Sequence, residues 1–287
     1  MQRIFLSDLD GRPTVGMTVT VQGPAYHYLV RVLRLRAGDR FVALPDRSGD
    51  VDWRQLLRAP EAYAVQGQEW VVEVARIGGQ VLYGTIVATY RQAVEPGVRV
   101  TVGQALLKGD KFDLVIQKCT ELGCLDIVPL ATRRSEVRLE AQRAEKRRAR
   151  WQRIAREAAE QSRRTHQPLV HPVMELGRFL EALAPERSQG ELRLVAWERE
   201  TQRGLREVME RLAGARPPAG DTTPVGGLRR VVLLIGPEGG LEEGEVELAV
   251  RAGFVPVSLG PRVLRAETAS IAALTMVLYQ LGELGGR

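Results

Sequence analysis

The chain has 287 residues, 44% hydrophobic and 26% charged, which allows two domains with cores of their own and excludes a wholly disordered chain. No run approaches the roughly 18 apolar residues that span a bilayer, and the opening MQRIFLSDLD lacks a signal peptide's apolar stretch, so a cytoplasmic protein is expected. The net charge of +6 is local: residues 131–165 hold twelve basic and five acidic side chains, and the other 252 residues sum to −1.

The first ninety residues read as a strand-rich module, a small β-barrel or sheet. Thr18 to Gln22 alternate as a strand, Pro24 opens a helix through Leu35, and a second strand runs from Phe41 to Leu44. Val71 to Ile77 and Val81 to Thr89 form a hairpin across Gly78-Gly79-Gln80. Residues 46–68 are aperiodic and read as a long loop or insertion.

After a linker at Ala93 to Gly97, strands alternate with helices, the mark of an α/β sheet. The strands are Val98 to Leu107, Leu125 to Leu130, Leu192 to Trp197, Arg230 to Ile235 and Val255 to Leu259. The helices are Asp110 to Leu122, Glu140 to Arg163, Glu175 to Leu183, Gln202 to Leu212, Glu242 to Ala252 and Ala269 to about Leu281. Residues 213–227 are a low-complexity loop in which no chemistry is expected. Cys119 and Cys124 read as reduced core residues, and the three histidines do not join them at metal-ligand spacing, so no metal is expected.

On the long helix, Trp151, Ile154, Ala155 and Ala158 share one apolar stripe, with Lys146, Arg153, Arg156, Arg163 and Arg164 opposite. Glu157 and Glu160 follow Arg153 and Arg156 by four, which makes ordinary surface ion pairs. Arg133, Arg134, Arg138, Arg163 and Arg164, at the two ends of the segment, are left unpaired. They suit either nucleic-acid phosphates or a solvated face.

The sharpest local feature is the apolar strand Val231 to Ile235 running into Gly236-Pro237-Glu238-Gly239-Gly240 before a helix. Its spacing fits neither common phosphate-loop pattern, and Pro237 removes an amide, so a phosphate cradle is disfavoured. A tight loop at a strand's carboxyl end remains, the place where α/β sheets bind ligands; a purely structural turn is the other reading. A second such end follows, Leu259-Gly260-Pro261-Arg262-Val263-Leu264-Arg265-Ala266-Glu267-Thr268-Ala269. Thr268 suits a helix N-cap and Glu267 the favourable end of the helix dipole, whereas Arg262 and Arg265 lie where positive charge needs an anionic partner.

These two runs, with Lys108-Gly-Asp-Lys111, Gln117 to Gly123 and Trp151 to Gln161, resemble the bacterial 16S ribosomal RNA uridine-N3 methyltransferases (the RsmE family) of the SPOUT, or α/β-knot, superfamily. His27 to Arg34 with Gly38-Asp39 is similar to that family's N-terminal PUA-like RNA-binding barrel. Arg134-Ser-Glu136 and Ser162-Arg-Arg-Thr165 depart from the family's usual residues, and residues 46–68 and 213–227 look like insertions.

The resemblance implies an α/β fold with a PUA-like β-barrel over residues 1–93 and a C-terminal SPOUT trefoil-knot domain over 97–287. It also implies a homodimer, S-adenosylmethionine as cofactor, and 16S ribosomal RNA or the small subunit as partner. The cofactor would lie on Ala196, Trp197, Glu198, Ile235, Gly236, Pro237, Glu238, Gly239, Gly240, Leu259, Gly260, Leu264, Thr268 and Ala269. Arg262, Arg265 and Glu267 are the catalytic candidates, Glu267 more as a structural group than as a base; Glu238 is the other nearby carboxylate. Arg31, Arg34, Arg133, Arg134, Arg138, Arg163 and Arg164 would track RNA phosphates. A tRNA ribose methyltransferase of the same superfamily and a non-enzymatic ribosome-assembly protein are the alternatives.

Overall fold

In Thr18–Val21 every second residue is apolar, and in the computed structural model this strand buries Val19 and Val21 and exposes Thr18 and Thr20. The structure describes all residues except 8, 10–12, 47–66, 138–139, 184–189, 214–227 and 286–287, so the expected 46–68 and 213–227 loops lie almost wholly outside the described residues. Two units form: one from described residues up to Glu95 together with Ala159–Gln167, the other from Pro96–Ala158 and Pro168 onward.

The first unit is a five-stranded sheet of β1 (Arg3–Leu6), β2 (Thr18–Val21), β3 (Arg40–Pro45), β4 (Gln68–Gly78) and β5 (Val81–Arg91), in the order β1-β3-β4-β5-β2. Gly79 and Gln80, at φ +60° and +63°, provide the two left-handed residues of a type I′ turn between β4 and β5. Leu29, Phe41, Trp70, Val72 and Leu82 are in its core. The expected helix from Pro24 is shorter: α1 (Gly23–Tyr26) passes into a wider π-helical turn, His27–Val32, that closes before Arg34 takes φ +57°. β1 was not expected; its four residues are buried throughout and carry no alternation that would mark a strand.

The second unit is a parallel sheet of β6 (Arg99–Ala105), β7 (Asp126–Ala131), β8 (Leu169–Val170), β9 (Met174–Glu175), β10 (Glu191–Ala196), β11 (Arg230–Ile235) and β12 (Val255–Val257). Its order is β12-β10-β11-β6-β7-β8, with β9 also on β7. Both faces are covered, which is why Val231 to Ile235 of β11 read as an unbroken apolar run. Val231, Leu233 and Ile235 face one core, and Val232 and Leu234 face the other, as a period of two requires.

The helices are α2 (Lys111–Leu122), α3 (Ala141–Gln161), α4 (Leu176–Ala182), α5 (Leu205–Ala213), α6 (Glu243–Arg251) and α7 (Ala266–Gln280). Phe112, Val115 and Ile116 of α2, Trp151 and Ala155 of α3, and Leu274 and Val277 of α7 fill the first core. Phe179 of α4 and Val246 of α6 fill the second. Gly103 of β6 lets Phe179 approach: a Cβ there would lie 3.2 Å from the ring. Both cysteines are free and buried, and burial together with the neighbouring Cys124 pushes the Cys119 thiol well above its ordinary range.

Helix α7 begins at Ala266, three residues before the expected start. Arg265, at φ −61° and ψ 150°, is the N-cap, so Thr268 lies within the first turn and does not cap the helix.

Candidate cofactor and substrate site

Strands β12, β10 and β11 are adjacent and parallel, with Ala196 of β10 opposite Val257 on one side and Ile235 on the other. Their carboxyl ends therefore emerge together. The three following loops enclose a cavity of about 560 Å³, within the range of small-molecule pockets.

Of the expected cofactor residues, Ala196, Trp197, Glu198, the whole run Ile235 to Gly240, Leu259, Gly260, Leu264 and Ala269 line this cavity, and Arg262 and Arg265 line it as well. Two expected residues do not. Thr268 is exposed on the first turn of α7 and outside the lining. Glu267 is 8% exposed and also outside the lining; the start of α7 holds it, with Oε2 unpartnered among the described residues. Its position suits a carboxylate stabilised by the helix's positive end.

The 236–240 turn is held from several sides. Gly240 N–H donates to the Pro237 carbonyl (3.0 Å), and Gly240 adopts φ +70°. A Cβ on Gly240 would push the Glu198 carboxylate aside, and the left-handed φ itself favours glycine there. The Gln104 amide of β6 donates to the Gly236 carbonyl (3.2 Å) and accepts from the Ser270 hydroxyl of α7, which ties the turn's start to that helix. Glu238 Oε1 accepts from the Lys111 ammonium (3.0 Å) and from the Lys108 N–H (3.2 Å). Partial burial would raise the Glu238 carboxyl, but these donors outweigh it and hold it below its ordinary value of 4.5.

Sequence reasoning missed Lys111 as a lining residue, and it missed Gln104 and Ser270 altogether. Lys111 stood in a noted motif, but its contact lies 127 residues away. Gln104 carried a signal, a long polar side chain near the end of a buried strand.

The 259–265 loop is held chiefly at its start. The Ser258 carbonyl accepts from Leu205 N–H (3.0 Å), and Gly260 N–H donates to Ser258 Oγ (3.2 Å). Beyond that point Val263 is 85% exposed, and the Arg262 and Arg265 guanidinium groups make no hydrogen bond or ion pair among the described residues.

Residues 94–278 match the model of the RNA methyltransferase domain, and residues 21–47 match that of the RNA methyltransferase PUA domain. The chain belongs to the RNA methyltransferase family. Along its full length it is similar to the Ribosomal RNA small subunit methyltransferase E of Bacillus subtilis, 29% identical over 100% of this chain and 99% of the relative. The Synechocystis protein of the same name is 36% identical over 91% of this chain and 72% of its own length. Among solved structures, the Ribosomal RNA small subunit methyltransferase E from Neisseria gonorrhoeae, bound to S-adenosyl methionine, superposes with a TM-score of 0.71 at 26% identity, covering 97% of both chains.

Within this RNA methyltransferase the expected phosphate-tracking arginines divide. Arg31 and Arg34, in the first unit, are exposed, and Arg163 is exposed at φ +61°. Arg138 lies outside the described residues.

Arg164 corrects the expectation, because it is buried. Its Nε and Nη2 donate to Glu95 Oε2 at 3.0 and 2.7 Å, with side chains only 5% and 9% exposed. Glu95 Oε1 accepts from the backbone N–H of Thr165 and His166, at 2.8 and 3.0 Å. Burial alone would raise the Glu95 carboxyl, but Arg164 and these donors bring it below the ordinary range. The left-handed turn at Arg163 thus separates an exposed arginine from a buried one.

Arg133 and Arg134 are not unpaired either: both lie near Glu242, at 3.5 and 3.8 Å. On α3, Trp151, Ala155 and Ala158 are buried as the stripe predicted, and Arg153 pairs with Glu157 at 3.8 Å.

Proposed function

We propose that this chain transfers a methyl group from S-adenosylmethionine to N3 of a uridine in 16S ribosomal RNA. One observation carries the reading: three neighbouring parallel strands end in glycine-containing loops around one cavity, in a chain similar over its full length to small-subunit ribosomal RNA methyltransferases. The Neisseria relative, bound to S-adenosyl methionine, supports the choice of cofactor.

The residues present suit that cofactor. Most of the lining is loop backbone with small and apolar side chains, a surface that reads an adenine edge by main-chain groups. The glycine at 240 leaves room beside Glu198, and the buried Trp197 Nε1 has no partner among the described residues, so a donor is available near the cavity. Ile235, Gly236, Leu259 and Leu264 would hold the base and ribose, and Glu198 is a carboxylate on the same wall.

S-adenosylmethionine supplies a methyl group on a sulfonium centre, and positioning does much of the remaining work. Uracil N3 carries a proton and becomes a good nucleophile only when that proton leaves. Arg262 and Arg265 line the cavity with no anionic partner among the described residues, so they would place positive charge where the uracil carbonyl oxygens gain negative charge and let N3 deprotonate more readily. Glu198 and Glu238 are the carboxylates that line the cavity, whereas Glu267 has a structural role at the start of α7.

The same reading assigns residues 1–93 to a PUA-like barrel and 97–287 to a knotted SPOUT domain, in a cytoplasmic homodimer. The five-stranded first unit and the placement of β11 between β6 and β10 are compatible with that architecture. Two exposed apolar side chains, Val263 and Tyr279, suit a subunit contact. No described helix is long and apolar enough to cross a membrane, and no cluster of metal-binding side chains occurs among the described residues. Of the described phosphate-tracking candidates, Arg31, Arg34 and Arg163 are exposed and would meet RNA phosphates.

The deciding experiment locates the methylated nucleotide in 16S ribosomal RNA from cells lacking the gene and from rescued cells. Loss and return of one N3-methyluridine is expected; a modified tRNA ribose would establish the alternative enzyme. Absence of S-adenosylmethionine binding in calorimetry would point to a binding protein instead.

A further inference from the structure

Arg134 stands in the basic segment, and its sequence context suggests a phosphate ligand. Its surroundings suggest another role. After β7, the chain turns at Thr132-Arg133-Arg134-Ser135: Ser135 N–H donates to the Thr132 carbonyl (3.1 Å), and the two hydroxyls lie 2.8 Å apart. The turn is docked through its backbone, since Arg133 N–H donates to Glu245 Oε1 at 2.9 Å. Glu245 is itself buried, and its Oε2 accepts from Glu242 N–H (2.9 Å) in the capping box that starts α6.

From this fixed base the Arg134 Nη1 donates to the Gly239 carbonyl at 3.1 Å, and its Nε lies 3.8 Å from Glu242 Oε1. Its aliphatic stem covers Gly239, because a Cβ built there would lie 3.4 Å from the Arg134 Cβ. One planar guanidinium thus spans a backbone carbonyl of the glycine turn and a carboxylate at the head of the next helix, a reach that suits arginine better than lysine.

Resting on the cofactor site proposed above, we infer that Arg134 is a positioning residue: it holds the Gly239 peptide in the conformation that binds S-adenosylmethionine and is not an RNA-phosphate ligand. Lys111 and the Lys108 N–H hold Glu238 from β6's side, and Arg134 holds the next residue from β7's side. The turn is pinned at two successive residues from two different chain segments.

The two roles separate in measurement. Titrations of S-adenosylmethionine and of unmodified small ribosomal subunits compare the wild type with Arg134→Ala, Arg134→Lys and Arg133→Ala. For Arg134→Ala, about a tenfold weaker cofactor affinity is expected, with the KM for S-adenosylmethionine raised to match, kcat nearly unchanged and subunit affinity within about twofold. Arg134→Lys restores part of the cofactor affinity, and Arg133→Ala leaves it near wild type, because Arg133 reaches Glu245 through its main chain and its side chain meets Glu242 at 3.5 Å from an exposed position, away from Gly239.

Wild-type cofactor affinity in Arg134→Ala overturns the inference. So does a loss of subunit affinity with the salt slope reduced by about one, the signature of a lost phosphate contact. A wild-type chain that binds no S-adenosylmethionine defeats the underlying site assignment as well, so the two failures are distinguishable.

Discussion

Two strand ends of this protein carry the same dipeptide, Gly236-Pro237 after β11 and Gly260-Pro261 after β12, yet they are built for different tasks. The first is clamped: Gln104, Lys108, Lys111 and Arg134 each bond to one of its residues. The second is anchored at Ser258 and then runs outward with Val263 exposed and two arginine head groups uncommitted among the described residues. A pinned turn suits recognition of a small cofactor by main-chain groups, since little ordering entropy remains to be lost on binding. An open loop with unspent positive charge suits a polyanionic substrate that arrives and leaves.

The largest expected effect tests the open loop. Arg265→Ala should lower kcat by about a hundredfold, the scale of removing one group that stabilises developing negative charge, with S-adenosylmethionine affinity nearly unchanged. Single-turnover methylation with saturating cofactor measures it, and a wild-type rate would erase the contrast between the two ends. The clamped turn is tested next by Gly240→Val. A β-branched residue at φ +70° is a steric outlier, and its Cβ would displace the Glu198 carboxylate, so cofactor affinity in calorimetry should fall at least tenfold.

The smallest effect concerns Glu238. Its carboxyl lies below the ordinary value of 4.5 in the folded protein, so its ion pair with Lys111 contributes fully above that pH and is lost only as pH falls through the lower folded-state value. Cofactor affinity should therefore stay level from neutral pH through the usual carboxylate range and decline below it. Glu238→Gln should bind about threefold more weakly at neutral pH and lack the acid decline. An acid limb that persists in this variant would assign it to another carboxylate.

The strand and helix alternation of the second unit was legible because each element carries its own signal. β11 is apolar from Val231 to Ile235, as two buried faces demand, and the stripe of Trp151, Ala155 and Ala158 repeats at helical spacing. Strands β8 and β9, two residues each, are too short to carry a period, and they exist because β7 offers an edge to pair with. The start of α7 was misplaced because Thr268 is a good cap by type, whereas the extended backbone at Arg265 decides where the helix begins. The glycine strand ends were legible as candidate sites because glycine and proline announce a turn wherever it stands.

The fate of the arginines was not legible. Arg163 and Arg164 are neighbours of the same type, and one is exposed while the other is buried against a carboxylate 69 residues earlier. Arg134 is separated by 105 residues from the carbonyl that it holds. By itself the sequence determined where strands end in glycine, which helix faces are apolar and where the positive charge is concentrated, since these depend on residue type and on spacing within one element. Which strand ends become neighbours, and which arginines meet a carboxylate, only the tertiary structure decided. The order of strands in a sheet is set by contacts between distant segments, and a charge is spent or left available by the partner that those contacts bring within reach.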